Sequence, residues 1–122
     1  MNNFTLSVKS GHDVAVMTPK GYINGLGAER LEQTSEQVLG KGLKNLVVNF
    51  SEVQFINTIG ISIFTGIIHK TQQCRGTLCF TNMKKIHRDI FDIMGLMKHV
   101  KVFKDEDEAL AFLGEREPVN DR

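Results

Sequence analysis

Thr58 is the residue whose setting most suggests chemistry. It stands between Asn57 and Ile59-Gly60-Ile61, where a short polar connector gives way to a long apolar run. A helix opening there would leave its first N–H groups free and its end partly positive. A phosphate on the Thr58 hydroxyl would then be compatible with the fold. It would add about −1.5 to −2 charges at neutral pH, enough to turn a partner away without unfolding the domain. The same position also suits a threonine that only starts a helix.

Other constellations offer less. Gly25-Leu26-Gly27 ahead of a helix is a faint echo of a phosphate loop, and short glycine spacings also serve as flexible helix entries. No G-x-G-x-x-G, G-x-x-x-x-G-K-[ST] or G-x-S-x-G occurs. His12, His69, His87 and His99 form no i,i+4 metal pair, and His69 lies eleven residues beyond Thr58, too far along one helix for a hydrogen bond. Asp89 and Asp92 share a helix without a second carboxylate pair. Cys74 and Cys79, four residues between them, cannot make a four-ligand zinc site and read as inert thiols. The chain is expected to be no enzyme, with no metal, no cofactor and no small-molecule ligand indicated.

A chain of 122 residues, 41% hydrophobic and 24% charged, builds one core. Its longest apolar stretch, residues 59–68, is far short of the roughly 20 needed to span a membrane. Net charge +1 argues against nucleic-acid binding by bulk charge. No basic stretch followed by an apolar run opens the sequence, which points to the cytoplasm. The even charge hides an asymmetry. Residues 105–122 hold seven acids and two bases, net −5, while six bases fall between Lys84 and Lys104. That basic run reads as a solvated helix face or as a surface for an acidic partner.

The elements that would hold Thr58 follow from periodicity. Residues 4–8 alternate as a half-buried strand, and 14–18 resume as its hairpin partner after Ser10-Gly11-His12-Asp13. Pro19 and Gly21 close that pair, and residues 22–24 form a short extended piece. Gly25 and Gly27 introduce an amphipathic helix that runs from Ala28 to about Gly40. Residues 46–50 form a buried strand and 51–53 a connector. Residues 59–73 make a strongly apolar helix, expected to be the most buried, with Ile59, Ile63, Phe64, Ile67 and Ile68 around it. Strand 77–81, helix 83–94, strand 100–103 and helix 105–113 follow, the last capped by Asp105. The order ββαβαβαβα predicts an α/β fold: a mixed sheet, hairpin first, with helices packed mainly on one face. The domain is expected over residues 4–113, with 114–122 a flexible polar tail.

Residues 47–61 carry a resemblance: a buried strand, a polar connector, an aromatic, then Asn57-Thr58-Ile59-Gly60-Ile61. The segment resembles the STAS domain family, and within it the bacterial anti-sigma factor antagonists, whose signature there is Asp-Ser-[Ser/Thr]-Gly-[Leu/Ile]. Phe91-Asp92-Ile93-Met94-Gly95-Leu96, the strand at Val102-Phe103 and the acidic run 105–110 fit the family's later pattern, and Gly21-Tyr22-Ile23-Asn24 its earlier one. Here Asn57 replaces the family's acid and Ile59 its second hydroxyl.

The resemblance implies a regulatory domain with a STAS-like mixed sheet. Its partner would be an anti-sigma factor that is also a serine/threonine kinase and brings its own ATP. The unmodified domain would capture that partner and free a sigma factor; phosphorylation at Thr58 would end the complex. The docking surface would comprise Asn57, Thr58, Ile59, Gly60 and Ile61, with Asn24, Gly25 and Gly27 and the basic trio Lys84, Lys85 and Arg88 beside it. The alternatives are a STAS scaffold or transport-associated subunit that is never phosphorylated, and a small nucleotide-binding domain using the Gly25–Gly27 turn.

Overall fold

The expected hairpin opens the chain. In the computed structural model, which describes residues 4–115 and the backbone of 120–121, β1 (Thr5–Ser10) and β2 (Val14–Ile23) pair antiparallel from Thr5↔Lys20 to Ser10↔Ala15. Gly11 N–H donates to the Val14 carbonyl at 2.8 Å and closes the turn. There follow α1 (Gly25–Gly40), β3 (Asn45–Asn49), β4 (Val53–Ile56), α2 (Thr58–Gln73), β5 (Leu78–Thr81), α3 (Lys85–Ile93), a 3-10 turn (Met97–His99), β6 (Lys101–Phe103), α4 (Glu106–Phe112) and β7 (Asn120–Asp121).

The sheet runs β6-β5-β3-β2-β1-β7, with β4 on β2 alone. β6, β5, β3 and β2 are parallel, and the hairpin makes the sheet mixed. β2 serves two parallel partners in turn. Val14 to Met17 lie beside β3, and Gly21 to Ile23 lie beside β4. The register shifts between Gly21 and Tyr22, where Gly21 has φ +100°, a conformation that suits a residue without Cβ. Residues 14–23 are thus one strand and not two pieces broken at Pro19. Pro19 sits opposite Leu6 within the pairing.

Side chains alternate across the sheet and fill two cores. Ala15, Met17, Leu46, Val48, Leu78 and Phe80 face the main core, with Leu31 of α1, Phe64 and Ile67 of α2 and Phe91 of α3. Val14, Val16, Val47 and Cys79 face a smaller one, closed by Ala109, Leu110 and Leu113. Three helices therefore share one face, and α4 covers the other. At the centre of the main core Phe50, Phe64, Phe80 and Phe91 meet mostly edge to face, with centroids 4.9 to 6.3 Å apart.

Several expectations need correction. Ser51 and Glu52 form a turn, as a connector would, but Val53 already begins a strand: in β4, Val53 and Ile56 are buried while Gln54 and Phe55 are exposed. α1 begins at Gly25, a turn earlier than Ala28. α2 is no more buried than α1, since each has six buried residues. Ile59 stands in solvent and Ile63 is half-buried, because Gly60, Ile61, Phe64, Ile67, Ile68 and Thr71 form the inward stripe. Asp105 caps α4 as expected, accepting from Glu108 N–H at 2.9 Å. The tail expected over 114–122 falls largely outside the described residues. Within it Glu115 accepts from His12 N–H at 2.9 Å, and Asn120–Asp121 pair with β1.

Candidate functional site: two helix mouths side by side

The parallel pairing Ile23↔Ile56 ends β2 and β4 together. The next residue of each strand, Asn24 and Asn57, is in both cases the cap of a helix. Asn24 Oδ1 accepts from Gly27 N–H at 3.0 Å and starts α1. Asn57 Oδ1 accepts from Gly60 N–H at 2.8 Å and starts α2. Asn57 N–H donates to the Ile23 carbonyl at 3.1 Å, which ties the two mouths together. A Cβ on Gly25 would lie 3.2 Å from Ile59 Cγ2, so the first turns of α1 and α2 touch.

Thr58 is the first residue of α2 and is exposed. Its hydroxyl has no partner among the described residues, and neither α1 nor α2 carries an acid in its first turn. The surface around it is apolar: Leu26 is 78% exposed, Ile59 63% and Phe55 43%. Phe55 is braced edge-on by Tyr22, centroids 5.0 Å apart. The arrangement is a neutral hydroxyl on a positive helix end, with exposed apolar side chains on the two adjoining helix mouths and on β4.

The expected docking residues divide. Asn24, Gly25, Asn57, Thr58, Ile59 and Gly60 come together here. Ile61 is fully buried and belongs to the core, so it offers a partner no surface. Gly27 is buried beneath the Phe4 ring, 3.0 Å from where its Cβ would be. With its N–H taken by Asn24, the Gly25–Gly27 stretch is a helical turn and not an open phosphate-binding loop. Leu26 and Phe55 were not foreseen. A leucine between two glycines at a helix entry was the available signal for the first.

The basic trio belongs to α3 and its N-cap. Lys84, Lys85 and Arg88 are exposed on α3, which follows β5, and β3 stands between β5 and β2. That separation is about 10 Å across the sheet. No hydrogen bond or ion pair among the described residues joins the trio to the paired caps. Lys85 is held by Asp89 at 2.8 Å, and Lys84 N–H donates to His87 Nδ1 at 3.3 Å. His87 is 1% exposed and packs on Phe50, centroids 5.7 Å apart. Burial first, then the Lys84 charge, lower its pKa below the usual value. Cys79 is buried, and its thiol is pushed up to about 11 by desolvation, so it is inert; Cys74 is a free, half-buried thiol. Among the described residues no three His, Cys, Asp or Glu side chains gather as a metal site, and no helix is long and apolar enough to cross a membrane.

Comparison with known proteins agrees with the fold. The STAS domain family model matches residues 5–109. A Bordetella bronchiseptica protein, BtrV, named provisionally as an anti-sigma factor antagonist, is 24% identical over 92 residues, which is 75% of this chain and 79% of that protein. The crystal structure of an anti-sigma factor antagonist from Mycobacterium paratuberculosis superposes with a TM-score of 0.79 at 24% identity, covering 93% of this chain and 96% of that one. The phosphorylated form of the Bacillus cell fate determinant SpoIIAA superposes at 0.70 with 18% identity, covering 91% and 99%.

Proposed function

The chain belongs to the STAS domain family, and we propose that within it this domain serves as an anti-sigma factor antagonist. It catalyses nothing itself. It captures an anti-sigma factor through the mouth of α2 and so frees a sigma factor in the cytoplasm. The observation that carries the reading is the exposed, unpartnered Thr58 hydroxyl on the α2 N-terminus, beside Leu26 and Ile59. Exposed apolar side chains around a neutral hydroxyl suit a protein partner.

The partner would be a kinase that binds ATP. In the transfer a bond forms between Thr58 Oγ1 and the γ-phosphorus. The bond from that phosphorus to the ADP oxygen breaks, and the hydroxyl proton leaves to a base or to water on the partner's side. The product keeps its fold, because the first N–H groups of α2 and the helix dipole favour an anion there. The partner's surface, complementary to a neutral hydroxyl and to apolar side chains, would have to bury an unpaired charge and so lets go. Lys84, Lys85 and Arg88 would meet a more distant part of the same partner. Asn57 in place of the family's acid favours a second reading, a STAS scaffold that binds without being modified.

The test is a pull-down from the source cell followed by incubation with ATP and mass spectrometry of the peptide holding Thr58. Phosphothreonine at 58 with release of the captured protein supports the switch. Capture of an anti-sigma factor with Thr58 unmodified leaves the scaffold. No captured anti-sigma factor overturns the antagonist reading and leaves the unphosphorylated scaffold.

A further inference from the structure

The apolar face of α3 is wider than the core it covers. His87 and Phe91 are buried and Ile90 packs against the edge of the main core, yet Ile86 is 56% exposed and Ile93 83%. The three isoleucines are spaced i, i+4 and i+7, so they fall within about 60° of one another around the helix and form one stripe. The charges of α3 run against its own dipole. Lys84 and Lys85 stand at its N-terminus with no acid in the first turn, and Asp89 and Asp92 stand in its second half with no base in the last turn. α4 shows the favourable placement, with Glu106, Asp107 and Glu108 in its first turn. Lys85 and Asp92 flank the stripe, each one residue ahead of one of its exposed isoleucines. The Asp92 carboxylate has no ion pair or hydrogen bond among the described residues, and Lys85 holds Asp89 at 2.8 Å with ammonium donors to spare.

We propose that the α3 stripe is a contact between two copies of this chain, the two helices lying antiparallel across a two-fold axis. The stripe is self-complementary in that arrangement. Ile86 of one copy meets Ile93 of the other and the reverse, with Ile90 of both near the axis, as a two-fold contact requires. Lys85 and Asp92 are seven residues apart, as Ile86 and Ile93 are, so the same axis brings Lys85 of each copy to Asp92 of the other. A parallel pairing would instead set lysine beside lysine and aspartate beside aspartate. The antiparallel neighbour also lays its acidic half beside the positive end of α3 and its basic end beside the negative one, which offsets the unfavourable placement within each helix. Contact through three isoleucines and their flanks is well under the roughly 1,200 Å² of stable complexes, so the pair is weak and concentration-dependent. Of the basic residues within α3, Arg88 stands about 160° round the helix from Ile86 and takes no part.

The test is sedimentation of the chain alone from micromolar to millimolar concentration. The average mass should rise with concentration toward twice that of one chain. Ile93→Lys should weaken the association about tenfold or more and leave the melting midpoint where it is, whereas Phe112→Ser, which removes an exposed apolar side chain from α4, should not weaken it. Lys85→Asp and Asp92→Lys each set like charges opposite one another and should each weaken it about tenfold. An equimolar mixture of those two variants should recover it, because every mixed pair then has a lysine facing an aspartate at both contacts. A chain that stays monomeric at millimolar concentration overturns the proposal. So does an association that Ile93→Lys leaves intact, or a mixture of the two charge variants no tighter than either alone. A monomeric chain whose capture of the anti-sigma factor is lost with Ile93→Lys gives the stripe to that protein instead. The mass measurement needs no other protein, so it fails independently of the antagonist reading.

Discussion

Gly60 lies against the backbone at the end of β2: a Cβ placed on it would stand 2.8 Å from the carbonyl oxygen of Ile23. The same carbonyl accepts the N–H of Asn57 at 3.1 Å. The mouth of α2 is therefore fitted to β2 at a distance only glycine permits. Gly60→Ala should push the two apart and cost about 1–3 kcal/mol, the usual penalty for overpacking. Gly40, with open space around its Cβ position at the end of α1, is the control. Gly40→Ala should be neutral or stabilising by up to about 1 kcal/mol. Urea melts of both variants check this.

Thr58→Glu should weaken capture of the anti-sigma factor, and Thr58→Ala should bind and resist release. Neither should move the melting midpoint much, since a charge at this helix end is favoured by about 0.3–1 kcal/mol. Affinity and thermal melts measured side by side separate binding from folding. Equal affinity for all three proteins would remove Thr58 from the interface.

Two isoleucines of α2 should behave oppositely. Ile67 is fully buried in the main core, and Ile67→Ala should cost about 2–5 kcal/mol. Ile59 is 63% exposed, and Ile59→Ala should change stability by no more than about 0.5 kcal/mol while loosening the partner. Denaturant melts paired with binding assays read both effects.

His87 should make stability depend on pH. Its pKa in the fold lies below the ordinary 6.5, through burial and then Lys84. The unfolded chain takes up a proton at this residue near pH 6.5, and the folded chain does so only at lower pH. Stability is thus unaffected well above 6.5 and falls as pH drops through 6.5 toward the folded value. Protonation would also turn Nδ1 into a donor and break the bond from Lys84 N–H at 3.3 Å. His87→Phe should flatten the dependence between about pH 7.5 and 5.5, as followed by melts across that window.

Much of this was legible in the residues. Strict alternation gave β1, and the apolar run Leu46 to Phe50 gave β3, because both patterns are local. Asn57-Thr58 at the head of an apolar stretch marked the mouth of α2 for the same reason. What escaped was set by tertiary contact. Val53-Gln54-Phe55-Ile56 has no strand-like alternation, and β2 supplies the ladder that makes it a strand. Ile59 reads as core by composition, yet the close fit of Gly60 on β2 rotates it outward. Ile61, expected at the interface, was turned into the core by the same rotation. The pairing of Asn24 with Asn57 joins residues 33 positions apart, and no single window contains both.

The division of β2 between two partners sets where the molecule yields first. Ala15 to Met17 are hydrogen-bonded between β1 and β3, whereas Gly21 to Ile23 have β4 alone. With the register shift at Gly21 between them, the two halves need not open together. Amide protons of Tyr22, Ile23 and β4 should exchange with solvent through a small local opening, and those of Ala15 to Met17 only through global unfolding. On that expectation Thr58 is attached to the half that opens first. A kinase that must draw this hydroxyl into its own active site would need to loosen only that corner, leaving the five-membered ladder β6-β5-β3-β2-β1 closed.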